Sequence, residues 1–561
     1  MYYSYTTLWC DGSALFCLPL LIGEAGLPVQ VPGSRFTFYA LRFTVRPHRI
    51  APFFVHDESS ENKVPLEVNL PQWEILSGGT VRPTVERLGV FPDAFEAFRR
   101  CFREKLVPFF LDSGMDPEKL GRYSFMGSDP FLIFRSEGTR IELMHRGLRW
   151  RGVGDPFRAL SELFGRLRAA PIEAAVPFTG GAVGYFGYDL CHFVETLPAA
   201  AVDDAGVPDC YLAFYDKVVA FDHLRRRAYF CSCRISGSEE SESGRRDDLI
   251  RAALSVVPDS PPSEKSSGIP MEAPLPPVRS NFTKDQYLTA IRRAKAYIAA
   301  GDIYQVNLSQ RFSGPLPVPP FDLYTRLRAR NPAPFAAFLD FGELQVLSSS
   351  PERFLQMEAR TRNVYTRPIK GTRPRGNTPE RDADLGRELL LSEKDRAELV
   401  MIVDLERNDL GRVCETGSVH VPELMALERY PTVYHLVSTI AGKLSPERDR
   451  MGLLRAMFPG GSITGAPKIR AMEIIAELEP TRRGVYTGSI GWLGFTGDMD
   501  LNIAIRTFVV RDGMARFQVG GGIVADSDPE EEYEETLHKG RALMAALGSV
   551  NYKMKNEKYK M

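Results

Sequence analysis

The sequence predicts a mixed α/β protein, and three observations carry that prediction. Phe95, Phe98, Phe102 and Leu106 recur at helical spacing, whereas Arg140 to Leu143 alternates with the period of a strand. Gly180-Gly181-Ala182-Val183-Gly184-Tyr185-Phe186-Gly187 reads as a strand region where glycines let backbones approach closely. From Asn281 onward strands, helices and glycine turns follow one another densely, without an internal repeat.

Along the chain, residues 1–65 are irregular and their patterning does not join that of the rest of the chain. They are expected to be a poorly ordered extension or the product of an upstream start-site assignment. Within them Ala14 to Ile22 is apolar, but it is shorter than the ~20 residues that span a bilayer. It also contains Pro19 and comes after no basic stretch, so neither a membrane span nor a secretory signal is expected. Residues 66–235 form a first region of strands and helices. From 236 to 280 the composition turns polar and proline-rich around one short helical run, Asp247 to Val256, as in a linker. Residues 281–547 form the second region, and the lysine-rich tail 548–561 is expected to fray.

Of 561 residues, 44% are hydrophobic and 25% charged, which gives ample core for a globular protein. The formal net charge of −1 supplies no global field toward nucleic acid or an anionic membrane. Among eight cysteines the closest pair, Cys231 and Cys233, has a spacing that matches neither a zinc knuckle nor a redox motif. Reduced thiols in a cytoplasm are therefore expected.

Two acidic pairs stand out. Asp395 and Glu398 lie one turn apart in a helical run from Asp382 to Asp404, and Glu532 and Glu535 repeat the spacing in a run from Pro529 to Leu547. Four carboxylates on two facing helices would make a hard oxygen site of the kind Mg²⁺ takes. Glutamates on helices are more often simply solvated. Pro459-Gly460-Gly461-Ser462-Ile463-Thr464-Gly465-Ala466-Pro467-Lys468 runs into a helix starting near Pro467, whose free N–H groups attract anions, although the spacing is not that of a Walker A loop. Gly520-Gly521-Gly522 comes after a strand and either admits a carboxylate to its amides or is a plain bulge. Arg367-Pro368-Ile369-Lys370-Gly371-Thr372-Arg373-Pro374-Arg375 is a basic strand and turn; its arginines would lower the pKa of Lys370 and make it nucleophilic. A solvated surface or nucleic-acid contact is the alternative, and no interleaved aromatics support the latter. His435, in Tyr434-His435-Leu436-Val437, is by itself more often structural than catalytic.

Longer motifs decide among these readings. Asp302-Ile303-Tyr304-Gln305-Val306-Asn307-Leu308, Ser350-Pro351-Glu352-Arg353-Phe354, Met401-Ile402-Val403-Asp404-Leu405-Glu406-Arg407-Asn408-Asp409-Leu410-Gly411-Arg412-Val413, Gly461 to Lys468, and Gly520-Gly521-Gly522-Ile523-Val524-Ala525-Asp526-Ser527 occur in one order. Together they resemble the chorismate-utilising enzyme family: anthranilate, aminodeoxychorismate, isochorismate and salicylate synthases. Weaker similarity reaches back to about residue 90 through Leu120-Gly121-Arg122-Tyr123-Ser124-Phe125. Anthranilate synthases usually have alanine in Pro-Ile-Ala-Gly-Thr, and aminodeoxychorismate synthases typically have lysine; this chain reads Pro368-Ile369-Lys370-Gly371-Thr372.

The resemblance implies two stacked antiparallel β-sheets with helices packed outside. It implies a cytoplasmic aminodeoxychorismate synthase component of para-aminobenzoate and folate synthesis, converting chorismate and ammonia to 4-amino-4-deoxychorismate. In that scheme Lys370 attacks ring position 2, Glu352 protonates the departing 4-hydroxyl, and His435 matches an active-site histidine. Glu398 and Glu535 match Mg²⁺ ligands, with Asp395 and Glu532 in or near that shell. Ser462, Tyr486, Arg506, Gly520, Gly521, Gly522 and Lys539 match substrate-binding positions. Ser113, Leu120, Gly121, Arg122, Tyr123, Pro334, Phe335 and Ala336 match a pocket that holds tryptophan in some members. No Gly-x-Cys-x-Gly elbow is present, so ammonia is expected from a separate glutamine amidotransferase subunit in a heterodimer. The rival expectations are an anthranilate synthase of tryptophan synthesis and a non-catalytic chorismate- or tryptophan-sensing module.

Overall fold

The computed structural model describes residues 81–548, apart from 117, 199–200, 236–239, 258–277 and 431–432, together with strand residues 9–10 and 13–14. The chain divides into two units, Met1–Lys63 and Val64–Met561. In the first, Trp9–Cys10 pairs antiparallel with Ser13–Ala14. The remainder of the expected N-terminal extension and the tail beyond Gly548 lie outside the described residues.

Two twelve-stranded sheets form the second unit, and helices pack against them. Each sheet draws on both sides of the 236–280 segment. In one, strand Gly181–Phe186 lies between Ser489–Gly494 and Cys210–Tyr215. In the other, Phe335–Asp340 pairs with Phe109–Asp112. All these pairs are antiparallel. The glycines of 180–187 have the expected purpose: a Cβ on Gly184 would stand 1.9 Å from the Tyr211 carbonyl oxygen.

Aromatic residues from the inner faces meet between the sheets. Phe125 meets Trp492 edge-on at 5.9 Å, and Phe109 meets Tyr215 at 4.5 Å. Helix Ala94–Cys101 covers the outside, stacking Phe98 on Phe110 at 5.1 Å. The helical spacing read through Leu106 stops earlier than expected. The chain leaves the helix at Phe102 and turns through Val107, at φ +46°, into strand Phe109–Asp112, which leaves Leu106 67% exposed.

The run expected from 382 to 404 is two helices, Pro379–Leu391 and Glu393–Gly411. Ser392 ends the first and caps the second, its hydroxyl accepting the Asp395 N–H at 3.3 Å. Helix Pro529–Ala546 falls within a residue of expectation, and helix Lys468–Leu478 begins directly after Pro467.

Two of the places where the chain changes sheets are neighbours. It passes from strand Leu344–Ser350 to Arg353–Met357, and returns from Met499–Asn502 to Thr507–Arg511. Ser348 pairs with Thr507 in one sheet and Arg353 with Asn502 in the other, so the crossovers lie side by side. The Ile503 N–H donates to the Glu352 carbonyl at 3.0 Å, and the Ser349 N–H to that of Arg506 at 3.1 Å.

Candidate active site

Glu352 occupies the first crossover and is 4% exposed. Its Oε1 accepts the Ile369 N–H at 3.4 Å. Burial raises its pKa, while the Ser462 hydroxyl, the Lys370 charge and the Ile369 N–H oppose that rise. A carboxyl biased toward its protonated form can donate a proton.

Lys370 lies on strand Ile369–Pro374, opposite Leu436, and its Nζ donates to the Ser462 carbonyl at 3.0 Å. Its pKa is lowered, first by burial and then by Lys539, against the pull of Glu398, Glu352 and Glu535. The cause therefore differs from the one the sequence suggested. Arg367 pairs with Glu423 at 2.7 Å and Glu428 at 2.8 Å, Arg373 with Glu388 and Asp395, and Arg375 with Asp382. These arginines are neutralised by their own carboxylates, and desolvation acts on the lysine instead. His435, on the adjoining strand, shares a 2.9 Å hydrogen bond between Nδ1 and Thr372 Oγ1. Burial, with Arg506 nearby, pushes its pKa down to about 4, so the ring is neutral at physiological pH.

Arg506 occupies the second crossover with φ +53°, a left-handed conformation that costs a non-glycine residue about 1–3 kcal/mol and clusters at ligand clamps. Its guanidinium donates to the Lys539 carbonyl. Lys539 Nζ in turn donates to the Gly520 carbonyl at 3.1 Å and pairs with Glu535 at 2.6 Å. Tyr486, which interacts electrostatically with Arg506, is pushed up to about 12, chiefly by burial. The triple glycine lies in a tight cradle. A Cβ would stand 2.5 Å from the Leu308 carbonyl at Gly520, 3.2 Å from Glu532 Oε2 at Gly521, and 1.9 Å from Gln305 Nε2 at Gly522.

The four expected metal carboxylates share this neighbourhood but are not equivalent. Asp395 is held by Arg373 at 3.0 Å, and Glu532 accepts the Ser527 hydroxyl at 2.6 Å. Burial first, then Asp395 and Glu535, raises the Glu398 pKa, a bias that a bound cation would reverse. Among the described residues no three His, Cys, Asp or Glu side chains stand together as a ready metal cage. Two glutamates still fit a hydrated Mg²⁺, which takes one or two carboxylates and fills its sphere with water and substrate oxygens.

Sequence reasoning gave no role to three groups beneath this site. Glu406, 3% exposed, accepts from Thr366 Oγ1 at 2.8 Å, and burial with Glu352 nearby pushes its pKa up to about 8. Arg483 and Glu479 form an enclosed ion pair at 2.7 Å. A signal for Glu406 exists in the sequence: with Leu399, Ile402, Val403 and Leu410 it repeats at helical spacing, so it lies on the buried face.

Some of the expected effector residues are neighbours and others face elsewhere. The Ser113 hydroxyl donates to the Tyr123 carbonyl and, at 3.4 Å, to that of Pro334, while Ala336 pairs with Asp112. Gly121 is required by space, since a Cβ there would stand 1.7 Å from the Met115 oxygen. The Leu120 N–H donates to Asp116 at 3.2 Å. Arg122 is committed to Asp222 through two hydrogen bonds, at 3.1 and 2.7 Å. The Phe335 ring lies 5.1 Å under the Arg353 guanidinium.

Lys370 interacts electrostatically with Glu352, Glu398 and Glu535, and Arg506 with Glu535, so these groups share one neighbourhood. The chain belongs to the chorismate binding enzyme family, whose sequence profile matches residues 124–545. It is 38% identical over 467 residues to aminodeoxychorismate synthase component 1 of Bacillus subtilis, covering 83% of this chain and 97% of that protein. It is 40% identical over 455 residues to anthranilate synthase component 1 of Acetivibrio thermocellus, covering 80% and 92%. The crystal structure of anthranilate synthase component I from Streptococcus pneumoniae superimposes with a TM-score of 0.66 at 32% identity, over 82% of this chain and 98% of that one. Among the described residues no helix is long and apolar enough to cross a membrane.

Proposed function

We propose that this chain is a cytoplasmic aminodeoxychorismate synthase component 1, and the observation that carries the reading is Lys370. Anthranilate synthases usually have alanine at this position, whereas a lysine whose pKa burial lowers, beside a carboxyl whose pKa burial raises, suits a two-step substitution. In the first step the neutral Lys370 amine bonds to ring position 2 of chorismate. Both conjugated ring double bonds shift toward position 4, and the 4-hydroxyl leaves as water with the proton of Glu352. In the second step ammonia bonds at position 4, both double bonds shift back, and the lysine amine is expelled. One proton returns to Glu352, so 4-amino-4-deoxychorismate and water are the net products. Arg506 would grip a substrate carboxylate, with Tyr486, Lys539, Ser462 and the 520–522 amides completing the cradle, and neutral His435 orienting the substrate. Glu398 and Glu535 would hold Mg²⁺, with Glu532 and Asp395 behind them; the ion supplies positive charge for the ring carboxylate. Ammonia would come from a separate glutamine amidotransferase, in keeping with the component 1 designation of the relatives. Tryptophan would bind against Ser113, Tyr123 and Pro334.

Incubating the chain with chorismate, ammonium and Mg²⁺ tests the reading by mass spectrometry. The expected product retains the enolpyruvyl group, gains an amine, requires Mg²⁺ and disappears in Lys370→Ala. Anthranilate with free pyruvate would overturn it, and no turnover at all would favour a sensing module.

A further inference from the structure

A second pocket touches the candidate active site through Tyr486 and through Arg483 beneath it, and its other walls lie outside that site. It encloses about 560 Å³, including its open mouth, between the strands Gln305–Pro315 and Met514–Ile523 and the segments 203–209 and 482–486. None of the expected tryptophan-pocket residues lines it.

The two strands place Arg311 directly opposite Gln518, so both side chains leave the sheet on the same face. Arg311 is 8% exposed and Gln518 3% exposed. Arg311 gives one terminal nitrogen to Asp204, while its Nε has no hydrogen-bond partner among the described residues. Gln518 donates through Nε2 to the Ser309 hydroxyl at 2.8 Å, and its Oε1 has no partner among the described residues. Arg516, on the same face two residues before Gln518, has an Nη1 that likewise lacks one. Buried polar atoms are rarely left so. The pocket thus presents two unmet cationic donors beside one unmet acceptor.

A simple anion would satisfy the guanidinium groups but leave the Gln518 oxygen unmet, and it would face Asp189 and Asp209 on the same walls. A simple cation would meet the arginines. Arg516 and Arg311 already repel each other, and the Arg516 pKa is lowered by burial and then by Arg311. Val207, Val485, Val509 and Phe517 complete the lining with apolar surface. We propose that this pocket binds a free α-amino acid with an apolar side chain, its carboxylate on Arg311 and Arg516 and its ammonium on the Gln518 carbonyl. The assignment does not depend on which chorismate product the enzyme makes.

Isothermal titration of the full chain with L-leucine tests it, with 4-methylvalerate and isopentylamine as probes that carry one charge each on the same skeleton. Leucine is expected to bind at least about 10-fold more tightly than either, because only it satisfies both ends. Arg516→Met, at a partly exposed position, is expected to abolish leucine binding with the melting temperature and basal turnover unchanged. Gln518→Leu is expected to erase the preference for leucine over 4-methylvalerate. Saturating chorismate should leave leucine bound. Absence of leucine binding at millimolar concentration, equal binding of all three probes, full affinity in a folded Arg516→Met, or displacement of leucine by chorismate would each overturn the assignment.

Discussion

Replacing Arg483 by methionine is the perturbation whose cost the structure defines best. The guanidinium donates to Glu479 through Nε at 2.9 Å and Nη2 at 2.7 Å. It also donates to the Asn307 carbonyl at 2.8 Å, and at 3.2 Å to the Ile463 carbonyl and the Thr487 hydroxyl. Burial works against its charge, but the Glu479 carboxylate more than reverses that and raises its pKa. The side chains are 2% and 3% exposed, so without the arginine Glu479 keeps only the N–H and hydroxyl of Ser309, at 2.9 and 2.7 Å. Breaking a buried pair from one side costs about 3–5 kcal/mol. With an unfolding entropy of ~2.1 cal/mol/K per residue over roughly 440 described residues, that lowers the melting temperature by about 3–5 °C. Differential scanning calorimetry at a fixed scan rate reads the shift. The double variant Arg483→Met, Glu479→Leu should lose less than Arg483→Met alone, because no charge is left stranded. A single-variant shift below about 1 °C, or a double variant in which the two losses simply add, would show that the buried pair does not hold this energy.

Two other outcomes are expected. Gly520→Ala should lower both kcat/KM and melting temperature, since its Cβ would meet the Leu308 carbonyl at 2.5 Å and neither backbone can yield without parting the strands; wild-type kinetics would show that the cradle has slack. Glu406 binds a proton in the folded protein up to about 8 but only to its ordinary 4.5 when unfolded, so its contribution to stability is complete below about 4.5 and is lost as pH rises through 8. Glu406→Gln keeps an acceptor for Thr366, so chemical denaturation should show the variant gaining on wild type between pH 5 and 8; parallel curves would show that Glu406 does not titrate there.

The positions that gather in the site were more legible in the sequence than the groups that support them. Lys370, Glu352 and His435 stand in contiguous motifs, and the structure brings them together because neighbouring strands and a sheet crossover carry them. The cause of the Lys370 shift was not legible, since local sequence shows nearby arginines but not the carboxylates that neutralise them from Glu388, Asp382 and Glu423. Arg483 is distant in sequence from Asn307 and Ser309, so no local pattern announces that it joins them. Single elements were readable where period and caps agreed, as at Pro529–Ala546, and misjudged where one serine both ends and begins a helix, as at Ser392.

The braiding of both sheets from distant parts of the chain has a consequence for dissection. A polypeptide ending at residue 257 would present Gly181–Phe186 and Phe109–Asp112 as bare edges, stripped of Ser489–Gly494 and Phe335–Asp340. The complementary piece from 278 would expose those same partners. Open edges of this kind template aggregation, so each half expressed alone should be insoluble. Co-expressed, the halves carry matching ladders and can reassemble without the connecting peptide, as two chains that fold only in each other's presence.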